Sequence, residues 1–176
     1  MKMQAVAVVG TKKSGKTTTI ENLTRELAER GYKVACIKHI NEDFAFDTPG
    51  KDTWRYRQAG ANIIIATGQN QTVTIQKTTP TLTALLEKCR GNDVVFIEGF
   101  KKTVAQNPNI PKIAVTKNQT EAQNAIETYK PIIAFTGPYN PNNTHIPYAN
   151  AQTNPKELSD IVENILKKHA KRENLL

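Results

Sequence analysis

Apolar positions along the chain follow two periods. Short, largely apolar runs at Gln4–Val9, Tyr32–Lys38, Val94–Ile97, Lys112–Thr116 and Pro131–Thr136 have the composition of strands buried on both faces. Between them, apolar residues recur three and four apart, which is helical spacing. Ile20, Leu23 and Leu27 mark a helix from Lys16 to about Arg30, with Gly31 as its C-cap. Leu82, Leu85, Leu86 and Cys89 mark a second helix, opened by Pro80. Glu121–Tyr129 gives a short helix. Leu158, Ile161, Val162, Ile165 and Leu166 give a long one, with Asn154 as N-cap, Pro155 in the first turn and Glu157 completing a capping box. This alternation predicts an α/β fold with a mainly parallel sheet flanked by helices. Ile63–Thr67 and Thr72–Gln76 flank Gly68–Gln71 and predict a β-hairpin that adds at least one antiparallel strand to the sheet.

Residues 39–62 fit neither period. Thr48-Pro49-Gly50 marks a turn, and Asp52 or Thr53 is placed to cap a short helix holding Trp54, Arg55, Arg57 and Gln58. This polar stretch follows the second strand, so it forms a loop at the carboxyl end of the sheet, where open α/β folds bind ligands.

Composition narrows the picture. The 176 residues are expected to form one domain, 1–176, with no internal repeat, no low-complexity tract and no apolar run of membrane-spanning length. The first strand begins near Met1, which argues for a cytoplasmic protein without a leader. Cys36 and Cys89 have neither C-x-x-C nor Cys/His ligand spacing, and read as small buried hydrophobes in a reducing compartment. The net charge of +8 points to anionic partners. Basic residues are scattered, apart from Lys12-Lys13 and the group Lys167, Lys168, Lys171 and Arg172. They are not interleaved with aromatics, so nucleic acid is not the expected partner.

Gly10–Thr17, GTKKSGKT, meets G-x-x-x-x-G-K-[ST] at every fixed position, between a strand and a helix. This predicts a P-loop NTPase fold. Gly10, Thr11, Lys12, Lys13, Ser14, Gly15, Lys16, Thr17 and Thr18 are the candidate nucleotide-binding residues. Backbone N–H groups of the loop and of the new helix converge on phosphate oxygens. Lys16 reaches the β- and γ-phosphates, and Thr17 offers its hydroxyl to Mg²⁺. Glu98 ends the buried strand Val94–Ile97, where a second metal contact or water-positioning carboxylate is needed; the usual residue there is Asp. Thr11 stands where deviant-loop ATPases carry their signature lysine, which excludes that class. Thr116-Lys117-Asn118-Gln119 is a near miss to the guanine-reading [NT]-K-x-D: Gln119 stands in place of the carboxylate.

Three further stretches are more distinctive: Lys38-His39, D-x-P-G-K-D-T-x-R-x-R-x-A-G-A from Asp47 to Ala61 (with Thr48 between the Asp and the Pro), and Glu98-Gly99-Phe100-Lys101. With the phosphate loop, they resemble the molybdopterin-guanine dinucleotide biosynthesis adaptor family, MobB, closely over residues 4–102 and in layout beyond. The resemblance implies a homodimeric protein that binds GTP with Mg²⁺, hydrolyses it weakly, and supports a partner guanylyltransferase that joins GMP to molybdopterin. It implies Thr17, Glu98 and Asp47 as metal residues, with Asp47 and Glu98 serving catalysis. Lys51, Arg55 and Lys101 become candidate phosphate or partner contacts. Where the family often has further histidines after Lys38-His39, this chain has Ile40-Asn41-Glu42-Asp43, so only His39 carries over. The alternative is a P-loop small-molecule kinase with Asp47 or Asp52 as base, but no Arg-rich lid is legible after residue 110. A metal-insertion GTPase needs a Cys/His cluster that the sequence lacks.

Overall fold

A computed structural model describes residues 3–40 and 47–173, the last five of these by backbone alone. The substituted stretch Asn41-Glu42-Asp43 and the side chains of Lys171 and Arg172 lie outside the described residues. The chain divides into two compact units, 1–39 with 82–176 and 40–81.

The larger unit holds a five-stranded, all-parallel sheet in the spatial order Val34–Lys38, Val94–Glu98, Gln4–Gly10, Lys112–Val115, Ile132–Thr136. Its strands are β1 (Gln4–Gly10), β2 (Val34–Lys38), β5 (Val94–Glu98), β6 (Lys112–Val115) and β7 (Ile132–Thr136). Its helices are α1 (Lys16–Glu29), α3 (Leu82–Lys88), α4 (Lys101–Val104), α5 (Gln119–Thr128) and α6 (Pro155–Glu173). The strands read as unbroken apolar runs because both faces are covered. On one face, Val6 and Val8 of β1 pack with Leu23 and Leu27 of α1 and Leu158, Val162 and Leu166 of α6. On the other, Ala7 and Val9 pack with Leu82 of α3, Val104 of α4, and Ala122 and Ala125 of α5. Each fully buried leucine contributes roughly 1.5–3 kcal/mol by leaving water. Among the described residues, no helix is long and apolar enough to cross a membrane.

α6 starts at the capping pair read from the sequence. Asn154 Oδ1 accepts the Glu157 N–H at 3.4 Å, and Asn154 Nδ2 donates to the Glu157 carboxylate at 2.7 Å. The second bond therefore runs to the Asn154 side chain, because the Asn154 N–H is already given to Asn150 O at 2.8 Å. Cys36 differs from expectation. It is exposed on β2, an edge strand, with its sulfur 3.6 Å from Thr24 Oγ1, and Cys89 is half-buried.

The smaller unit holds α2 (Asp52–Gln58), β3 (Ile63–Thr67) and β4 (Thr72–Gln76). The expected hairpin forms, closed by Gly68 N–H donating to Gln71 O at 2.8 Å. β3 and β4 pair only with each other, as a separate two-stranded antiparallel sheet, and do not add a strand to the parallel one. Ile63, Ile65 and Val73 are exposed on it. α2 is capped by Lys51 through its backbone conformation alone, so Asp52 is the first helical residue and not the cap. Thr53 instead donates its hydroxyl to Asp47 Oδ1 at 2.8 Å.

Candidate functional site

β1 is the central strand, with β5 on one side and β6 on the other, and the phosphate loop leaves its carboxyl end. Gly10 is required by contact: a Cβ there would lie 2.6 Å from Val115 O and 2.7 Å from Ser14 Oγ. Gly15 caps α1 in the left-handed region (φ 100°) and Lys13 also has positive φ (59°), so the backbone curls around a concavity. No side chain caps α1, and its first turn carries no acidic residue. The N–H groups at this end are thus free of local carboxylates, as an anion-binding terminus requires. Thr11, Lys12 and Lys13 are exposed, Thr18 is half-buried and Ser14 is buried. Ser14 Oγ has no protein hydrogen-bond partner, an orphaned polar atom inside the loop.

Lys16 donates its ammonium to Thr11 O at 2.6 Å, so this lysine rests on its own loop. Burial lowers its pKa. Glu98 acts in the opposite direction, while Lys101, Lys38 and Lys117 add to the lowering. Lys16 thus feels three further lysines and the Glu98 carboxylate, and Lys117 is itself paired with Glu121 at 3.3 Å, which leaves a net excess of positive charge suited to a polyanion.

Glu98 meets the phosphate loop as its strand-end position predicted. β5 pairs with β1 in the register Val8↔Glu98, and the Thr17 hydroxyl donates to Glu98 Oε2 at 3.2 Å. Lys38, opposite Glu98 on β2, brings its ammonium to 3.5 Å from the same oxygen. A hydroxyl and a carboxylate side by side form the oxygen donor set that a hard cation such as Mg²⁺ takes. Among the described residues, no group of three or more His, Cys, Asp or Glu could hold a metal ion by itself. A metal here would need ligand oxygens as well.

The backbone beyond Glu98 is strained. Gly99 (φ 98°) and Phe100 (φ 50°) are both left-handed, an unusual state for phenylalanine. A Cβ on Gly99 would lie 2.7 Å from His39 Cβ, and the His39 and Phe100 rings pack with centroids 4.5 Å apart. His39 therefore packs against the Gly99-Phe100 turn and donates its backbone N–H to Glu98 O at 2.8 Å.

Asp47 belongs to the smaller unit, where it is buried, with Oδ1 bonded to Thr53 and Oδ2 without a partner. That unit also holds a cavity of about 450 Å³ between α2 and the hairpin, lined by Arg57, Ile64, Ile75 and Lys77 among others. None of its lining residues belongs to the phosphate loop.

Two site features were missed in the sequence, the first although Asn118-x-x-Glu121 carries a capping-box signature. Thr116–Gln119, the near miss to the guanine motif, is a helix cap: Asn118 Oδ1 accepts the Glu121 N–H at 2.9 Å, and Gln119 is the first residue of α5. Glu121 then turns back, accepting from Thr11 Oγ1 at 3.0 Å and from the Lys117 N–H at 2.9 Å. Lys38 on Glu98 is the other, since cross-strand register decides that contact.

A family model described as molybdopterin guanine dinucleotide synthesis protein B matches residues 5–137. The chain belongs to that family, MobB. A putative molybdopterin-guanine dinucleotide biosynthesis adapter protein of Methanocaldococcus jannaschii is 38% identical over 119 residues, 66% of this chain and 49% of the relative. The chain thus spans about half the length of that relative. The molybdopterin-guanine dinucleotide biosynthesis adapter protein of Haemophilus influenzae is 30% identical over 166 residues, 92% of this chain and 88% of its own length. Among solved structures, Bacillus subtilis MobB superposes with a TM-score of 0.73 at 27% identity, covering 92% of this chain and 96% of that one. The MobB neighbours share the parallel sheet flanked by helices, which is a P-loop NTPase fold.

Proposed function

We propose that the protein is a GTP-binding adapter in molybdopterin guanine dinucleotide biosynthesis, with at most weak Mg²⁺-dependent hydrolysis, serving a partner guanylyltransferase. The observation that carries this reading is the phosphate loop with Lys16, and the Thr17–Glu98 pair, in a chain of the MobB family. In it, loop N–H groups from Gly10 to Thr18 and the Lys16 ammonium bind the phosphates. Thr17 and Glu98 hold Mg²⁺, which draws charge from the phosphate oxygens when bound. Slow turnover follows from the groups around Lys16. No glutamine is set to orient water among these residues, and the cations that act on Lys16 are lysines, which lack the forked donor of an arginine finger.

The protein acts in this reading as one nucleotide-binding domain in the cytoplasm, and as a homodimer. Exposed Ile63, Ile65 and Val73 on the hairpin favour self-association, which sedimentation equilibrium measures; a monomer at micromolar concentration overturns the dimer.

Calorimetric titration with GTP, ATP and Mg²⁺ tests the main reading. Mg²⁺-dependent GTP binding is expected, lost in Lys16→Ala with the circular dichroism spectrum unchanged. Preference for ATP, or stoichiometric phosphoryl transfer to a small acceptor, refutes it in favour of a kinase. Undiminished binding by Lys16→Ala refutes the phosphate-loop assignment.

A further inference from the structure

Glu121 sits in the first turn of α5, far in sequence from the phosphate loop, yet its carboxylate touches that loop. Oε1 accepts from the Thr11 hydroxyl at 3.0 Å and lies 3.3 Å from the Lys117 ammonium. Oε2 accepts the Lys117 backbone N–H at 2.9 Å. The Glu121 backbone is itself fixed, its N–H held by Asn118 Oδ1 at 2.9 Å. Burial works against the charged form. The Lys117 N–H, the Thr11 hydroxyl and the Lys117 ammonium outweigh it, and the Glu121 carboxyl is held below its usual range.

Capping α5 needs only Asn118 and the Lys117 N–H. The Thr11 bond does nothing for the helix. Its effect falls on the loop. Thr11 is held from both sides: its hydroxyl by Glu121, its carbonyl by the Lys16 ammonium at 2.6 Å. When an anion enters, Lys16 must exchange the Thr11 carbonyl for a phosphate oxygen. Without a second tether, Thr11 is free to follow Lys16 and close the concavity.

We propose that Glu121 is a positioning residue of the nucleotide site, which acts through Thr11 to keep the phosphate loop open while Lys16 changes partners. This rests on the nucleotide-binding reading above. Bonds to a carboxylate are stronger than neutral ones, so the tether survives at an exposed site. An amide in its place offers one acceptor oxygen and turns an NH₂ toward the donors that the other carboxylate oxygen accepted from.

The test uses the full chain with Glu121→Gln, Thr11→Val and the double variant, titrated with Mg²⁺-GTP and with inorganic tripolyphosphate. Glu121→Gln is expected to weaken both ligands by about tenfold, the value of one charge-assisted bond. Thr11→Val loses a similar factor, and the double variant is no weaker than the worse single, because both act through one bond. Additive losses overturn the proposal, as does wild-type affinity in Glu121→Gln. Loss for GTP alone, with tripolyphosphate unaffected, overturns it by making Glu121 a base contact. A ligand-free readout separates this from failure of the nucleotide reading: Thr11→Val should raise the Glu121 carboxyl titration followed by NMR. An unmoved titration overturns the tether whether or not the wild type binds GTP.

Discussion

Among the described residues, Lys112 is the one lysine buried completely, at the amino end of β6, and it has no carboxylate partner among the contacts of its side chain. Its ammonium donates to Asn107 O at 2.7 Å and to Lys130 O at 2.5 Å, pinning the loop before β6 to the segment before β7. Burial pushes its pKa down from 10.5 to about 8. The sign follows from proton counts. Between pH 8 and 10.5 the unfolded chain keeps the proton that the folded protein has released. Unfolding therefore becomes harder as pH rises through that window, and the gain is absent below it. At 1.36 kcal/mol per pH unit, the drop to about 8 corresponds to about 3 kcal/mol. Lys112→Met removes this titration. At pH 7 the variant escapes the burial of a charge but strands two carbonyls, each costing about 1–3 kcal/mol, so its stability should stay within about 2 kcal/mol of wild type. By pH 10 the wild type should lead by a further 2–3 kcal/mol or so. Urea denaturation of both proteins from pH 7 to 10 measures the difference, in which the other titrating groups cancel. Parallel stability profiles would refute the reasoning, because they would mean Lys112 titrates alike in both states.

Gly99→Ala places a methyl 2.7 Å from His39 Cβ at a left-handed φ of 98°, and should cost about 2–4 kcal/mol in urea denaturation; unchanged stability would show that the turn after Glu98 yields freely. Glu98→Gln should reduce hydrolysis and Mg²⁺ dependence more than GDP affinity, and should lower the Lys16 pKa further by removing the carboxylate that raises it; equal losses in hydrolysis and GDP affinity would make Glu98 structural. Tyr32 is pushed up to about 12, first by burial and then by its 2.9 Å bond to Glu163, so its ultraviolet titration should end well above free tyrosine. Glu163→Gln should bring it part of the way back, and a return to 10 would mean burial contributes nothing.

Most of the fold was legible because it is written in local periods. The runs at Val6, Val94 and Ile113 are apolar on both faces, and only a sheet covered on both sides buries them all. GTKKSGKT placed its own loop, since glycines at 10 and 15 and a helix opening at Lys16 are properties of neighbouring residues. Glu98 was legible as the last residue of a buried strand, which fixes the end of the sheet it reaches. The hairpin was legible as two strands and a turn. Its separation from the main sheet was not, because pairing beyond the turn depends on which edges meet.

By itself, then, the sequence determined the element order, the phosphate loop and the carboxylate beside it. Tertiary structure alone decided that Lys38 lies on Glu98, that Lys112 is buried on two carbonyls, that Cys36 is exposed, and that Glu121 grips Thr11. The reason is range. Strand and helix periods and glycine turns are set within a few residues. Contacts between residues 110 apart follow from strand order and register, to which every element contributes.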